Sequence, residues 1–224
     1  MDNFAPQVAI VDYGLGNLFS VGQACAFVGL NSIITNSRKD ILGADAVILP
    51  GVGAYGDAIL MLRRLDLVNV LRDIAESSKP LVGICLGLQL LMTESYEFGR
   101  HKGLGIIEGP VVRFEVPKEK ERTLKVPHIG WNRIFEPANG LHWQGTLLDG
   151  VTEGEYMYFV HSLTVRPQDS NVILSTSRYG QIEFCASIQH RNIFACQYHP
   201  ERSGPKGLQI YHNLAKSLKK NQKF

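Results

Sequence analysis

A cysteine set between two glycines at the end of an apolar run carries the most chemistry in this sequence. Residues 79–91 read KPLVGICLGLQLL, so Gly83-Ile84-Cys85-Leu86-Gly87 is the cysteine form of the nucleophile elbow, G-x-C-x-G. A strand that reaches Cys85 and turns at once into a helix forces the central residue into strained backbone. Only small neighbours fit around such a turn. The turn lifts the thiol clear of the sheet and sets it at a helix start, where unpaired N–H groups favour thiolate over thiol. The N–H of Leu86 then points where an oxyanion would form. A lone cysteine ending a strand is usually a small buried hydrophobe, so the elbow needs a base from elsewhere in the chain.

Seven histidines are available, and His199 stands out because it follows the run Asn192–Tyr198 inside His199-Pro200-Glu201. If that tripeptide is extended, His199 and Glu201 project to one side. The carboxylate then holds one imidazole nitrogen while the other faces a thiol, in the order nucleophile, base, orienter. Without the elbow the same tripeptide would read as a solvated turn. Cys196 and His199 have a C-x-x-H spacing, but no second pair accompanies them, so neither a metal nor a cofactor is expected.

Gly51-Val52-Gly53-Ala54-Tyr55-Gly56 matches the dinucleotide pattern G-x-G-x-x-G, yet the acid such a site needs is missing. Asp73 and Glu76 have about the right spacing but fall in a helix, and the next strand ends in Cys85. The stretch Pro50–Gly53 reads instead as a loop beside the elbow, with the Val52 N–H as the second oxyanion donor.

The elements that must place these groups follow from periodicity. Gln7–Val11, Ser32–Thr35, Asp45–Leu49 and Pro80–Cys85 read as strands, and Asn17–Val28, Asp57–Ser77 (broken near Asp66) and Leu86–Glu94 as helices. This alternation predicts a parallel sheet with helices on both faces. Six further strand-like runs follow: Pro110–Val116, Pro127–Ile134, Glu155–Val160, Val172–Ser177, Ile182–Ile188 and Asn192–Tyr198, several of them antiparallel. Turn residues such as Asn139-Gly140 and Tyr179-Gly180 divide them. Lys206–Lys219 reads as a closing helix, Pro117–Lys125 as a solvated loop, and the chain from Lys219 as a frayed end. The expected fold is one α/β domain over residues 1–224, a three-layer sandwich whose mostly parallel central sheet gains antiparallel strands from the second half.

Composition agrees. With 224 residues, 45% hydrophobic and 20% charged, the chain is ordinary globular material, which excludes disorder, collagen and coiled coil. A formal charge of +2 argues against a dedicated nucleic-acid binder. No apolar run approaches the ~20 residues of a membrane span. The opening MDNFAPQVAIVDYG has an acid and a proline where a secretory signal would carry basic residues. A cytoplasmic protein is expected, with Cys25, Cys85, Cys185 and Cys196 as thiols.

The elbow GICLGLQLL with HPE downstream resembles the class I, triad-type glutamine amidotransferases. VDYGLGNLFSV, LPGVGAYGDA, GLGII, KVPHIGWN, YFVHSL and FACQYHPERSGPKGL narrow the resemblance to the glutaminase subunits of imidazole glycerol phosphate synthase, from about Val8 to about Leu214. The resemblance implies that Cys85 attacks the side-chain amide of glutamine. His199, oriented by Glu201, takes the thiol proton and delivers one to ammonia, and a glutamyl thioester is then hydrolysed. It implies oxyanion donors at Val52 and Leu86, and substrate contacts at Gly53, Gln89, His161, Ser162 and Leu163. It implies a (β/α)8-barrel synthase partner in a heterodimer, met through the segment holding His128, Trp131 and Asn132, and low activity until that partner is occupied. The Val52 N–H is expected to turn inward on activation. Leu88 stands where the family often has methionine, and HSL where HSY is common. A paralogous subunit feeding ammonia to amidino-group formation in surface-sugar biosynthesis stays open at this point. A peptidase-type cysteine hydrolase and an inactive scaffold fit the residues less well.

Overall fold

The computed structural model describes residues 5–115, 117–119, 122–138 and 140–219. The expectations for the first four residues, Val116, Asn139 and the tail beyond Lys219 fall outside those residues. The chain runs β1 (Gln7–Val11), α1 (Leu18–Phe27), β2 (Asn31–Thr35), α2 (Arg38–Gly43), β3 (Ala46–Leu49), α3 (Tyr55–Arg64), α4 (Leu67–Glu76), β4 (Leu81–Ile84) and α5 (Leu86–Leu91). The second half adds β5 (Met92–Ser95), β6 (His101–Lys102), β7 (Ile107–Arg113), β8 (Lys118–Glu119), β9 (Arg122–Thr123) and β10 (His128–Arg133). It ends with β11 (Tyr156–His161), β12 (Leu163–Val165), β13 (Ile173–Tyr179), β14 (Ile182–His190), β15 (Ile193–Cys196) and α6 (Gly204–Lys219).

The central sheet has seven strands in the order β13-β14-β15-β4-β3-β1-β2. The neighbours from β15 to β2 pair in parallel, and β13 and β14 extend the sheet antiparallel. The inner parallel strands β1, β3, β4 and β15 are apolar on both faces because both are covered, while the edge strand β2 is partly exposed. Ala9, Val11, Val47 and Leu49 face the side packed by α2 to α5. Val8, Ile10, Ala46 and Ile48 face the side packed by α1 and α6. In α4 the buried residues Leu67, Val70, Leu71, Ile74 and Ala75 repeat at helical spacing, one stripe against the sheet. The break expected near Asp66 is a left-handed residue there, φ 54°, which separates α3 from α4.

Three local readings change. The helix after the elbow stops at Leu91, not Glu94. The carbonyls of Leu90, Leu91 and Met92 accept from the N–H groups of Leu104, Ile106 and Gly105, so the chain leaves the helix and runs on as β5. It joins a second sheet, β12-β7-β5-β6, absent from the sequence reading. The charged stretch after Pro117 pairs β8 with β9 as a short exposed hairpin, and Gln181 N–H donates to Lys118 O at 2.9 Å. The short helix α2, capped by Ser37 accepting from the Asp40 N–H, was likewise not anticipated.

Candidate active site

The elbow and the chain carrying His199 both arrive from the C-terminal ends of parallel strands, β4 and β15. β4 delivers Cys85 with φ 55° and ψ −107°, strained backbone for a side chain. Its N–H is tied to Cys196 O at 2.7 Å on the neighbouring strand, which holds the residue in that state. The flanking glycines are demanded by contact. A Cβ on Gly87 would lie 1.8 Å from the Leu49 carbonyl oxygen, and one on Gly83 would lie 2.9 Å from Ala195 Cβ. The elbow is therefore a close approach of α5 to two strands.

The imidazole comes from the chain just beyond β15. His199 N–H donates to Tyr158 O at 2.9 Å, and its carbonyl accepts from Ser203 Oγ at 2.6 Å. Pro200–Arg202 forms one 3-10 turn, not the extended tripeptide expected. The outcome for the carboxylate is the same: His199 Nδ1 and Glu201 Oε1 are 2.8 Å apart, with side chains 4% and 1% exposed. Among the described residues His199 Nε2 is buried without a hydrogen-bond partner, and the Cys85 sulfur is near enough to act on its charge. Burial alone would drive the proton off this ring. The adjoining sulfur and the Glu201 carboxylate outweigh it and hold His199 well above the ordinary imidazole range.

The loop Pro50–Gly53 lies against the elbow, but its orientation is closed. Leu86 N–H, the first expected oxyanion donor, gives its hydrogen bond to Gly51 O at 3.3 Å. In a planar trans peptide the C=O and N–H point opposite ways, so the Val52 N–H on that peptide faces away from the sulfur. Tyr13, buried, donates to Pro50 O at 2.8 Å and pins the loop from the strand side. Gly51 is required where it stands, since a Cβ would meet Tyr13 Oη at 2.1 Å. Gly53, with φ +100°, sits where L side chains are disfavoured.

Of the remaining expected residues, Gln89 is buried one turn along α5 and its amide donates to Gln197 Oε1 at 3.0 Å. His161, Ser162 and Leu163 lie where β11 passes into β12. The Val160 carbonyl oxygen there is 3.9 Å from Cys85 Sγ. Ser162 and Leu163 also line a cleft of about 140 Å3 shared with Glu97 and Arg113, two residues the sequence reading missed.

The segment Pro127–Asn132 needs correction. His128 is only 3% exposed, while Trp131 is 55% exposed. The His128 ring meets His161 Nε2 at 3.1 Å through Nδ1 and Asn132 Nδ2 at 3.3 Å through Nε2. Asn132 is turned inward as well, donating to Arg178 O at 2.6 Å. The buried His128 ring is therefore not offered to a partner, while Asn132 stays partly exposed. Strand alternation is the reason: His128, Gly130 and Asn132 share the inner face of β10, and Ile129, Trp131 and Arg133 the outer one. That alternation was readable in HIGWNR. Gln197 had no comparable signal beyond standing two residues before His199.

A sulfur on a strand-to-helix turn, next to an imidazole backed by a carboxylate, on a parallel α/β sheet, defines a cysteine-dependent acyl-transfer enzyme. The chain belongs to the class-I glutamine amidotransferase family, whose model matches residues 9–218. It is 42% identical to the imidazole glycerol phosphate synthase subunit HisH of Aquifex aeolicus, over 96% of this chain and 98% of that one. The HisH subunit of Sulfurimonas denitrificans is 44% identical over 93% of this chain and 97% of its own. Among solved structures, PurLQS from Thermotoga maritima superposes with a TM-score of 0.71 at 18% identity, over 96% of this chain and 100% of that chain. The glutaminase domain of Trypanosoma brucei CTPS gives 0.59 at 15%, over 98% and 96%. Those two likenesses carry the fold alone.

Proposed function

We propose that this chain is the glutaminase subunit of an imidazole glycerol phosphate synthase, hydrolysing glutamine to glutamate and ammonia for histidine biosynthesis. The observation that carries the chemistry is the Cys85 sulfur beside the buried His199–Glu201 pair. His199 Nε2 accepts the thiol proton and Cys85 Sγ attacks the side-chain amide carbon of glutamine. The tetrahedral oxyanion is held by backbone N–H groups. His199 returns the proton to the leaving nitrogen, ammonia departs and a glutamyl thioester remains. Water, deprotonated by His199, then releases glutamate and the thiol. Glu201 keeps the imidazole oriented and stabilises its charged form. Gly53, Gln89 and the stretch His161–Leu163 surround the substrate, with Glu97 and Arg113 in the adjoining cleft offering opposite charges to its amino-acid end.

Ammonia passes to a (β/α)8-barrel synthase in a cytoplasmic heterodimer, and that partner makes imidazole glycerol phosphate and AICAR. The ribbon β10–β11 suits such docking. Ile129 and Trp131 are exposed. Trp131 lies edge-on to Tyr158 at 5.9 Å, and Arg202 covers the Tyr158 ring at 5.0 Å. An aromatic surface edged by arginine is typical of interface anchors. Behind it, Tyr158 O holds the His199 N–H and Val160 O faces the sulfur. Docking therefore lies one strand from the chemistry. Among the described residues no helix is long and apolar enough to cross a membrane.

The closed Gly51–Val52 peptide leads us to expect low activity of the subunit alone. Losing one oxyanion donor costs about 10²–10³ in rate, and here Leu86 is occupied while Val52 faces away. Turning this one peptide frees the first donor and supplies the second. The test is steady-state glutaminase kinetics on the isolated chain, then with the barrel partner, then with the partner's acceptor ligand. A stepwise rise of at least about 10² is expected. Full turnover by the isolated chain would overturn the closed-loop account, and no ammonia under any condition would overturn the function.

A further inference from the structure

The Cys85 sulfur has a polar neighbour that the triad does not include. Gln197 stands between β15 and His199, wholly buried, and its side-chain N–H points at Cys85 Sγ at 3.6 Å. Its carbonyl end is engaged too, since Gln89 Nε2 donates to Gln197 Oε1 at 3.0 Å. A primary amide has one donating end and one accepting end. With Gln89 donating to the oxygen, the nitrogen is the end left for sulfur. Gln89 is held in its turn by α5, whose first turn closes with Gln89 N–H donating to Cys85 O at 3.3 Å. The result is a directed amide chain, Gln89 to Gln197 to Cys85, inside the protein.

Such a chain acts on one state of the sulfur more than on the others. A thiolate is a strong acceptor, whereas a neutral thiol and a thioester sulfur are weak ones. Donation from a buried amide is stronger than the same contact in water and reinforces along a chain. The α5 helix spans only six residues, so its terminus provides little of this support. His199 carries the proton. It does not by itself solvate the charge left on sulfur.

We propose that Gln197 is a further catalytic residue of this site, donating to the sulfur while it is anionic, with Gln89 as the positioning residue that sets the direction of its amide. No proton is transferred by Gln197: the thiol proton goes to His199 Nε2, the electron pair stays on Sγ, and the amide N–H only orients toward it. The contact stabilises the attacking sulfur before it bonds to the amide carbon and again when the thioester releases it. This rests on the reading of Cys85 as the nucleophile, and the test keeps the two apart.

The experiment is alkylation of the full chain by iodoacetamide, read at the Cys85 peptide by mass spectrometry, alongside glutaminase kinetics of the complex with the barrel partner. Gln197→Met removes the donor at similar length, and Gln197→Asn keeps an amide too short to reach, so one remains if the other fails to fold. In both, Cys85 alkylation at about pH 7 should fall about tenfold. The same comparison is made at about pH 10. The kcat should fall by about the same factor with KM within about twofold. In alkylation, which involves no glutamine, Gln89→Leu should give a smaller loss, about threefold, because Gln197 stays in place with its amide free to turn; in the kinetics it should also raise KM, since Gln89 adjoins the substrate. Variants alkylated at the wild-type rate at both pH values would overturn the proposal while leaving the nucleophile intact. A wild-type Cys85 no faster than cysteines of the unfolded chain would overturn the nucleophile reading and this proposal with it.

Discussion

Three buried histidines, one on β11 and two packed near it, end in different charge states. His199 sits between a sulfur and a carboxylate and is held toward its charged form. His128 and His161 sit among aromatic rings. His128 stacks on Tyr179 at 4.2 Å, and His161 lies 5.1 Å from both Phe114 and Phe184. Burial pushes His128 down to about 4. Burial, with smaller contributions from the neighbouring imidazoles, pushes His161 down to about 3. The neutral pair has one consistent hydrogen pattern. Asn132 Nδ2 can only donate, so His128 Nε2 accepts, and His128 Nδ1 donates to His161 Nε2. His161 Nδ1 then donates to Leu163 O at 2.8 Å. Burial is common to all three rings. What separates a base from a structural strut is whether an anion is buried beside it.

Removing either reactive partner is the severest way to break this contrast. Cys85→Ser should abolish glutaminase activity with the fold intact, and a glutamine-like electrophile should label Cys85 alone among the four cysteines. His199→Ala should lower kcat by about 10⁴ or more. Steady-state ammonia release in the complex measures both, and labelling of Cys25, Cys185 or Cys196 to the same extent would count against the assignment.

Glu201→Gln sharpens the comparison, because it gives His199 a neutral neighbour like those around His161. The rate should fall less than for His199→Ala, by about one to two powers of ten. A variant with undiminished kcat would make Glu201 a structural residue only.

The neutral pair yields a smaller effect, on stability. Both folded-state values lie below the unfolded imidazole value of about 6.5, so the unfolded chain binds more protons between them. The contribution of this pair should therefore be flat above about pH 6.5 and fall as pH drops toward 4 and then 3, whereas the raised His199 favours the folded state less as pH climbs above about 6.5. The loss is about 2 kcal/mol per histidine at pH 5 as an upper bound. Urea unfolding from pH 7 to pH 5 measures it. His128→Phe keeps the aromatic stack and should flatten that slope while lowering stability at pH 7 by about 1–3 kcal/mol, since His161 Nε2 loses its donor. An unchanged slope would mean the pair is already protonated or solvated.

Much of the site is legible in the sequence because its constraints are local. Gly83 and Gly87 flank Cys85 within five residues, and Glu201 follows His199 by two, so short-range sterics and bonding leave few alternatives there. The parallel sheet was readable for a related reason: strands covered on both faces are apolar throughout, and Gln7–Val11 and Ala46–Leu49 show it. The residues that escaped notice depend on elements meeting from far along the chain. Gln197 reaches Gln89 across 108 positions, and β5 exists because loop N–H groups near Gly105 claim the carbonyls that a longer α5 would have used.

The chemistry of this protein, a thiol with a histidine–carboxylate partner, was thus determined by residue types and short spacings alone. Which groups reach the sulfur, and in which state, was decided only by the tertiary structure. The Gly51–Val52 peptide has the same residues whether its carbonyl or its N–H faces the elbow. Glycine before it lowers the steric preference between the two. The choice falls to the Leu86 N–H on a different element, so the sequence specifies a glycine-flanked loop beside the elbow and the packing around it turns the Gly51 carbonyl toward Leu86.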